Sequence, residues 1–424
     1  MSAVTVGIGE REITPSHPVP LAGFASRMNQ PVGKVDRKLW VRAWWIGEYT
    51  EPALLVVADV LWWAPERERA FREQISNRWN VPIDHILLHA THTHSAPQTS
   101  YVFVESLGEP DDDWVAYFES QALAAIDEAH QDRAPAILER YVGTSNIGYN
   151  RRVAIDEPDS DPESIGLLDP TLTVIKISHE DGSPRGLIFH HACHPTTTSG
   201  PAVSSEWPGI ACELLREQFG LASMLQGMCG DINPRVTRGH AERNFTDDDV
   251  AAVADEIVHD ICLTLESDPE PIPAGSISAR PATVQCRVSS VPDDAMLTSM
   301  ESGEALDQEL SRALRRFPDR CIADQPLHIT RLSIGESLEF VALSAEVTTA
   351  YGLAIRQICG ANALPLGYTN GMTGYIVTDE QLHNGGYEPD LSTKYFALPS
   401  AFAPGLEANV MHGIRSVLEP EAAQ

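Results

Sequence analysis

A chain of 424 residues, 43% hydrophobic and 21% charged, has the length and apolar content to bury a large globular core. Sixty acidic against thirty basic residues give a formal charge of −30, a field that repels phosphate backbones and anionic lipid surfaces and argues against both as partners. No run of about 18 apolar residues could span a membrane, and the first ten residues have no signal-peptide pattern. Seven scattered cysteines show neither metal-finger nor disulfide spacing, so the expected location is the cytoplasm.

In chain order, residues 4–9 read as a short strand, residues 14–20 as a turn, and residues 39–46 and 53–60 as buried strands, the second carrying Asp59. Residues 66–79 have helical spacing, and 85–89 form an apolar strand running into Thr91-His92-Thr93-His94. Residues 111–131 predict a helix with three acids at its start, where the helix dipole favours them. Strands at 172–178 and 186–192 and a helix at 208–219 follow, then a helix capped by Thr246 and running to about 265. Residues 267–275 read as a proline-rich connector and 293–316 as a charged helix. A strand at 338–344, a helix at 348–359 and a Gly- and Tyr-rich loop region at 367–387 complete the pattern. Alternating strands and helices predict an α/β protein, with mixed central sheet(s) flanked by helices.

Asp59, His92, His194 and Glu346 each follow an apolar run. In open α/β sheets, sites gather at the carboxyl ends of strands, so these four runs would converge. His92-Thr93-His94 is the strongest local signal, because at a period of two both imidazoles share a face of an extended chain. His190-His191-Ala192-Cys193-His194 is a second histidine cluster, and neutral imidazoles with a carboxylate suit a catalytic zinc. A pair of hydrogen-bonded histidines without metal is the plain alternative. Taken alone, Glu346 reads equally as a helix cap, Tyr375 as packing, and Asp231 as an Asx-turn or as a carboxylate orienting a ligand histidine. Trp44-Trp45 and Trp62-Trp63 read as core.

In order and across nearly the whole chain, these segments resemble the neutral/alkaline non-lysosomal ceramidase family. The resemblance runs from Gly7-Ile8-Gly9, Glu12-Ile13-Thr14-Pro15 and Pro20-Leu21-Ala22-Gly23-Phe24 to the block His92-Thr93-His94-Ser95-Ala96-Pro97. It continues through Asn150-Arg151-Arg152, Cys193-His194-Pro195-Thr196, Ser205-Glu206-Trp207-Pro208-Gly209 and the segment from Gln226 to Pro234. Glu346-Val347-Thr348-Thr349, Gly374-Tyr375 and Tyr387-Glu388 close it.

The resemblance implies zinc held by His92, His194, Glu346 and Tyr375, with His94, Arg151 and Tyr387 around a substrate amide. Asn233 stands where the family carries an active-centre serine, and an amide cannot act as a nucleophile. The whole chain is expected to form one catalytic domain, without the family's C-terminal β-sandwich. The expected activity is cleavage of a carboxamide C–N bond by a zinc-activated water. The expected substrate is a small soluble amide rather than membrane ceramide. Ceramide hydrolysis proper, an ester or lactone hydrolase and a non-catalytic zinc protein are the alternatives. The partner expected is that small-molecule amide, with no nucleic acid and no membrane anchor, and a homo-oligomer is compatible with the sequence.

Overall fold

The strand Val4–Glu12 carries glycine at positions 7 and 9 because a helix lies directly against it. A Cβ on Gly7 would come 1.8 Å from the Ala129 carbonyl oxygen, and one on Gly9 would come 2.1 Å from that of Ala125. Only hydrogen at both positions lets the helix Asp112–Gln131 close on the strand. Asp111 caps that helix by accepting from the Trp114 N–H, and Trp114, Phe118, Ala122, Ala125 and Ala129 form its buried stripe.

The computed structural model describes residues 3–48, 51–153, 166–239 and 245–419. Its centre is a nine-stranded mixed sheet. The path runs Leu221–Gln226, Pro184–His191, Thr171–His179, Ala134–Thr144, Val4–Glu12, Trp40–Ile46, Ala53–Ala58, Ile86–Ala90, with Glu270–Ile272 added on Ala134–Thr144. The two pairs at the ends of this path are parallel and the others antiparallel. Side chains alternate across the sheet: Trp45 packs in the cluster that includes helix residues Trp114 and Phe118. Its neighbour Trp44 packs in a second cluster with Leu332, Leu338, Phe340 and Leu364. Those four belong to a separate four-stranded sheet, Ile277–Arg287, Asp324–Ile334, Leu338–Leu343 and Ala363–Leu366.

The end strands of the nine-stranded path meet. The Gln226 N–H, on one end strand, donates to His89 Nε2, on the other, at 2.7 Å. This closure places the segment after Ile86–Ala90, which carries His92, beside the segment after Pro184–His191, which carries His194.

The α/β expectation holds, with its mixed central sheet and flanking helices. Several local expectations change. Within residues 267–275 lies the strand Glu270–Ile272, paired with Leu138, Glu139 and Arg140. The charged stretch 293–316 breaks into two helices, Asp294–Met300 and Ala305–Arg316, because Gly303 and its turn interrupt it. The loop region 367–387 contains the strand Tyr375–Ile376 and the helix Asp379–Asn384. The long antiparallel pair Ile277–Arg287/Asp324–Ile334 escapes the sequence because prolines and polar or charged residues occupy its exposed positions. Among the described residues, no helix is long and apolar enough to cross a membrane.

Candidate metal centre and active-site cleft

His92 lies just past the strand Ile86–Ala90 at φ +66°, in the left-handed region where a non-glycine residue is strained. The chain therefore bends at this residue instead of running extended. His92 and His94 still meet, with their Nε2 atoms 3.2 Å apart. His92 Nδ1 is 2.8 Å from the Leu61 carbonyl, and His194 Nδ1 is 2.9 Å from that of Ile232. A carbonyl only accepts, so in each neutral ring Nδ1 carries the proton and Nε2 presents a lone pair.

Both lone pairs point at one oxygen. Glu346 Oε1 lies 3.2 Å from His92 Nε2 and 2.7 Å from His194 Nε2. All three side chains are buried. Three acceptors converging without a donor between them is the donor set that a divalent cation satisfies, and the hydrogen bonds on the outer nitrogens are the usual support for ligand imidazoles. His92, His94 and His194 bring their ligand atoms within 4.8 Å of one another and could hold a metal ion. Burial works to raise the Glu346 pKa, and only positive charge at His92 and His194 outweighs it and holds the carboxyl well below its usual range.

Tyr375 reaches Glu346 through the backbone as well as the side chain. Glu346–Val347 and Tyr375–Ile376 form a two-residue parallel ladder with Glu346 opposite Tyr375. The Tyr375 hydroxyl faces the Glu346 carboxylate and accepts from Arg151 Nη2 at 2.9 Å. Burial, with the Glu346 charge assisting, pushes the Tyr375 pKa well above its ordinary value despite Arg151. Arg151 also donates from Nε to Glu388 at 2.8 Å and from Nη1 to Asn233 Oδ1 at 3.3 Å. Three of its five N–H donors are thus engaged by protein groups. Arg152 binds the other Glu388 oxygen at 2.6 Å.

Of these residues Arg151, Asn233 and Tyr375, with His94 and Tyr387, line an open cleft of about 830 Å³, within the range of small-molecule sites. Phe24, Tyr149, Phe245 and Tyr395 give its walls aromatic surface. Gly23, at φ +97°, passes so close to His94 that a Cβ there would sit 2.6 Å from Nδ1. Burial lowers the His94 pKa well below its ordinary value, with His92 and His194 adding to the effect.

Other candidates lie elsewhere or do other work. Asp59 is a buried partner of Arg42 at 3.3 Å and accepts the Trp40 N–H, so it is not in the centre. His190 bonds to the Pro365 carbonyl and to Arg356, and His191 to the Thr171 carbonyl. Among the described residues, Asp231 bonds to no histidine. It accepts the Thr349 N–H at the start of the helix Thr349–Cys359, together with Asn150 and Gln381, so it takes the capping work considered for Glu346. The tryptophan pairs are core, as expected. Sequence reasoning missed Tyr368, whose ring stacks on His92 at 3.9 Å and whose backbone is also left-handed at φ +53°. It missed Glu388 as the anchor of both arginines. Neither residue stands out locally, because Tyr368 lies in irregular chain and Glu388 in a single π-helical turn, Tyr387–Leu391, too short to leave a periodic pattern.

Fold and site together define a mixed α/β protein with a buried histidine–carboxylate centre at the base of an open cleft. The model for the N-terminal region of the neutral/alkaline non-lysosomal ceramidases matches residues 4–260. The chain belongs to that family of hydrolases. It superposes on a ceramidase complexed with C2 with a TM-score of 0.79 at 17% identity, covering 98% of this chain and 75% of that one. For the neutral ceramidase from Pseudomonas aeruginosa the TM-score is 0.76 at 18% identity, covering 98% and 74%. No curated protein matches the sequence.

Proposed function

We propose that the chain is a zinc-dependent amidohydrolase that cleaves the C–N bond of a linear carboxamide, with His92, His194, Glu346 and Tyr375 holding the metal. The observation that carries this reading is the convergence of two imidazole lone pairs on Glu346 Oε1 beneath an open cleft. When bound, zinc supplies a Lewis acid and makes hydroxide available near neutral pH.

The chain's own residues do the rest. His94, held against Gly23 and kept neutral by burial, accepts a proton at Nε2 and passes it to the leaving amine nitrogen. Tyr375 and Tyr387 pack edge to face at 5.8 Å, and the Tyr387 hydroxyl donates to the oxyanion that develops on the carbonyl oxygen. Arg151 is a positioning residue, since its fork fixes the Tyr375 hydroxyl and stacks over the Tyr387 ring at 5.3 Å. Asn233 offers only an amide, so the attacking group comes from water rather than from a side chain.

The cleft volume and aromatic walls suit a small amide with an apolar group, more soluble than ceramide. We place the reaction in the cytoplasm because all seven cysteines are free thiols, which suits a reducing compartment. A panel of short N-acyl amides, the matching esters and a short-chain ceramide tests the reading with zinc-loaded protein. Preferential cleavage of the short amides supports it. Preference for ceramide would overturn the substrate assignment, and cleavage of esters alone would overturn the reaction.

A further inference from the structure

A second cavity, of about 460 Å³ and within the small-molecule range, shares no lining residue with the catalytic cleft. It opens between the end of the helix Ala305–Arg316, the turn Pro318–Arg320 and the segment Gly371, Met372, Thr373. Val102, Phe317, Pro326 and Met372 make much of its wall apolar, and Arg316 and Arg320 are part of that wall.

The lack of an acidic partner sets those two arginines apart from many others in this chain. Acids outnumber bases by sixty to thirty, and many of the other arginines are ion-paired. Among the described residues, Arg316 and Arg320 have no ion-pair partner. Arg316 lies over the Phe317 ring at 5.1 Å. Arg320 lies over Phe103 at 5.4 Å, gives one bond to the Phe396 carbonyl at 2.8 Å, and keeps a buried Nε without a partner. The acids in the wall are otherwise occupied or solvated. Glu66 accepts from Ser100 Oγ and the Tyr101 N–H, Glu68 binds Arg72, and Asp319 is exposed. Burial lowers the Arg320 pKa to about 10, and the more distant Glu66 only partly offsets it. The guanidinium therefore stays charged at neutral pH with unspent donors. A largely apolar cavity with two arginines without ion-pair partners in its wall is complementary to a carboxylate on an apolar body, because the fork matches a carboxylate's two oxygens.

We propose that this cavity is a second binding site, for a small monocarboxylate whose head sits on Arg320 and Arg316 and whose body lies against Val102, Phe317, Pro326 and Met372. The site is independent of the catalytic assignment. Its wall is also near the centre in the chain, since Ser344 and Thr373 each precede a proposed ligand by two residues.

Calorimetric titration of the full chain with octanoate tests the proposal, with octylamine as the control of opposite charge. Octanoate should bind saturably, and Arg320→Gln should weaken it by about tenfold or more, the usual weight of a charge-assisted pair. Octylamine should not bind, and His194→Ala should leave octanoate binding unchanged. Arg316→Gln, at an exposed position, repeats the test without dependence on how well the Arg320 variant folds, and should also weaken binding. No saturable octanoate binding, equal binding of octylamine, or unchanged affinity in the folded arginine variants would overturn it. Loss in His194→Ala would also do so, because it would place octanoate in the catalytic cleft.

Discussion

Glu346 Oε1 lies 2.7 Å from His194 Nε2, although 152 residues of chain separate the two. The His194 proton is committed on the far side of the ring to the Ile232 carbonyl, so the contact brings two acceptors together. Such a contact is unfavourable unless something positive lies between them. A metal ion fulfils that condition, and the same condition holds at His92.

Replacing Tyr375 with Phe removes the hydroxyl that faces Glu346 and accepts from Arg151 while keeping the ring. Amide hydrolysis should fall by about 100-fold or more in kcat, the usual scale for losing one preorganised polar group at a reacting centre. Circular dichroism and the urea midpoint should stay close to wild type. A kcat within a few-fold of wild type would show that the hydroxyl is a packing feature.

Arg151→Lys should not rescue Arg151→Gln. Only a planar fork reaches Glu388, Asn233 and Tyr375 together. Both variants should lose activity to a similar degree and lose about 1–3 kcal/mol of stability by urea unfolding, because Glu388 keeps only Arg152. Near-wild-type turnover in the lysine variant would show that charge alone suffices.

Glu206 is buried at φ +56°, and burial raises its pKa to about 7, against hydrogen bonds from the Thr198 and Trp207 N–H groups. The raised value means that the folded chain holds a proton that the unfolded chain releases near pH 4.5. This contribution to stability is therefore full below about pH 4.5, declines as the pH rises to about 7 and is lost above it, a span on the order of 3 kcal/mol. Glu206→Gln cannot titrate, so the wild-type-minus-variant difference in unfolding free energy should slope downward with pH in that window and flatten above it. A difference independent of pH would contradict this.

Gly9→Ala and Gly182→Ala should separate steric crowding from backbone strain. The first puts a methyl 2.1 Å from the Ala125 oxygen and should cost about 3 kcal/mol of stability. The second meets nothing within 4 Å, and its cost of about 1 kcal/mol comes from its left-handed φ of +83° alone. Equal urea midpoints would show that the helix Asp112–Gln131 can shift away from the strand.

His92 and His194 were legible in the sequence because each ends a buried apolar strand, and a histidine at that place is chemically conspicuous. His190 and His191 look equally conspicuous and are equally buried, and only their partners, the Pro365 carbonyl with Arg356 and the Thr171 carbonyl, separate them from His194. Glu346 and Tyr375 were not legible on residue pattern alone. Their pairing rests on a ladder two residues long, which leaves no periodicity to read, and the family resemblance supplied them as candidates. Of the fold, the strands buried on both faces and the capped helices were visible. The strand Ala134–Thr144 and the antiparallel pair from Ile277 were not, because their half-exposed faces carry charges and prolines. Tyr368 could not be found at all, since its stacking on His92 depends on a left-handed turn in a loop.

The most direct test of the account is elemental mass spectrometry of the purified protein and of His194→Ala, each equilibrated with zinc, alongside hydrolysis of a short N-acyl amide. The account predicts about one zinc per wild-type chain, lost together with hydrolysis in the variant. Wild-type protein that holds no metal after zinc saturation would contradict it.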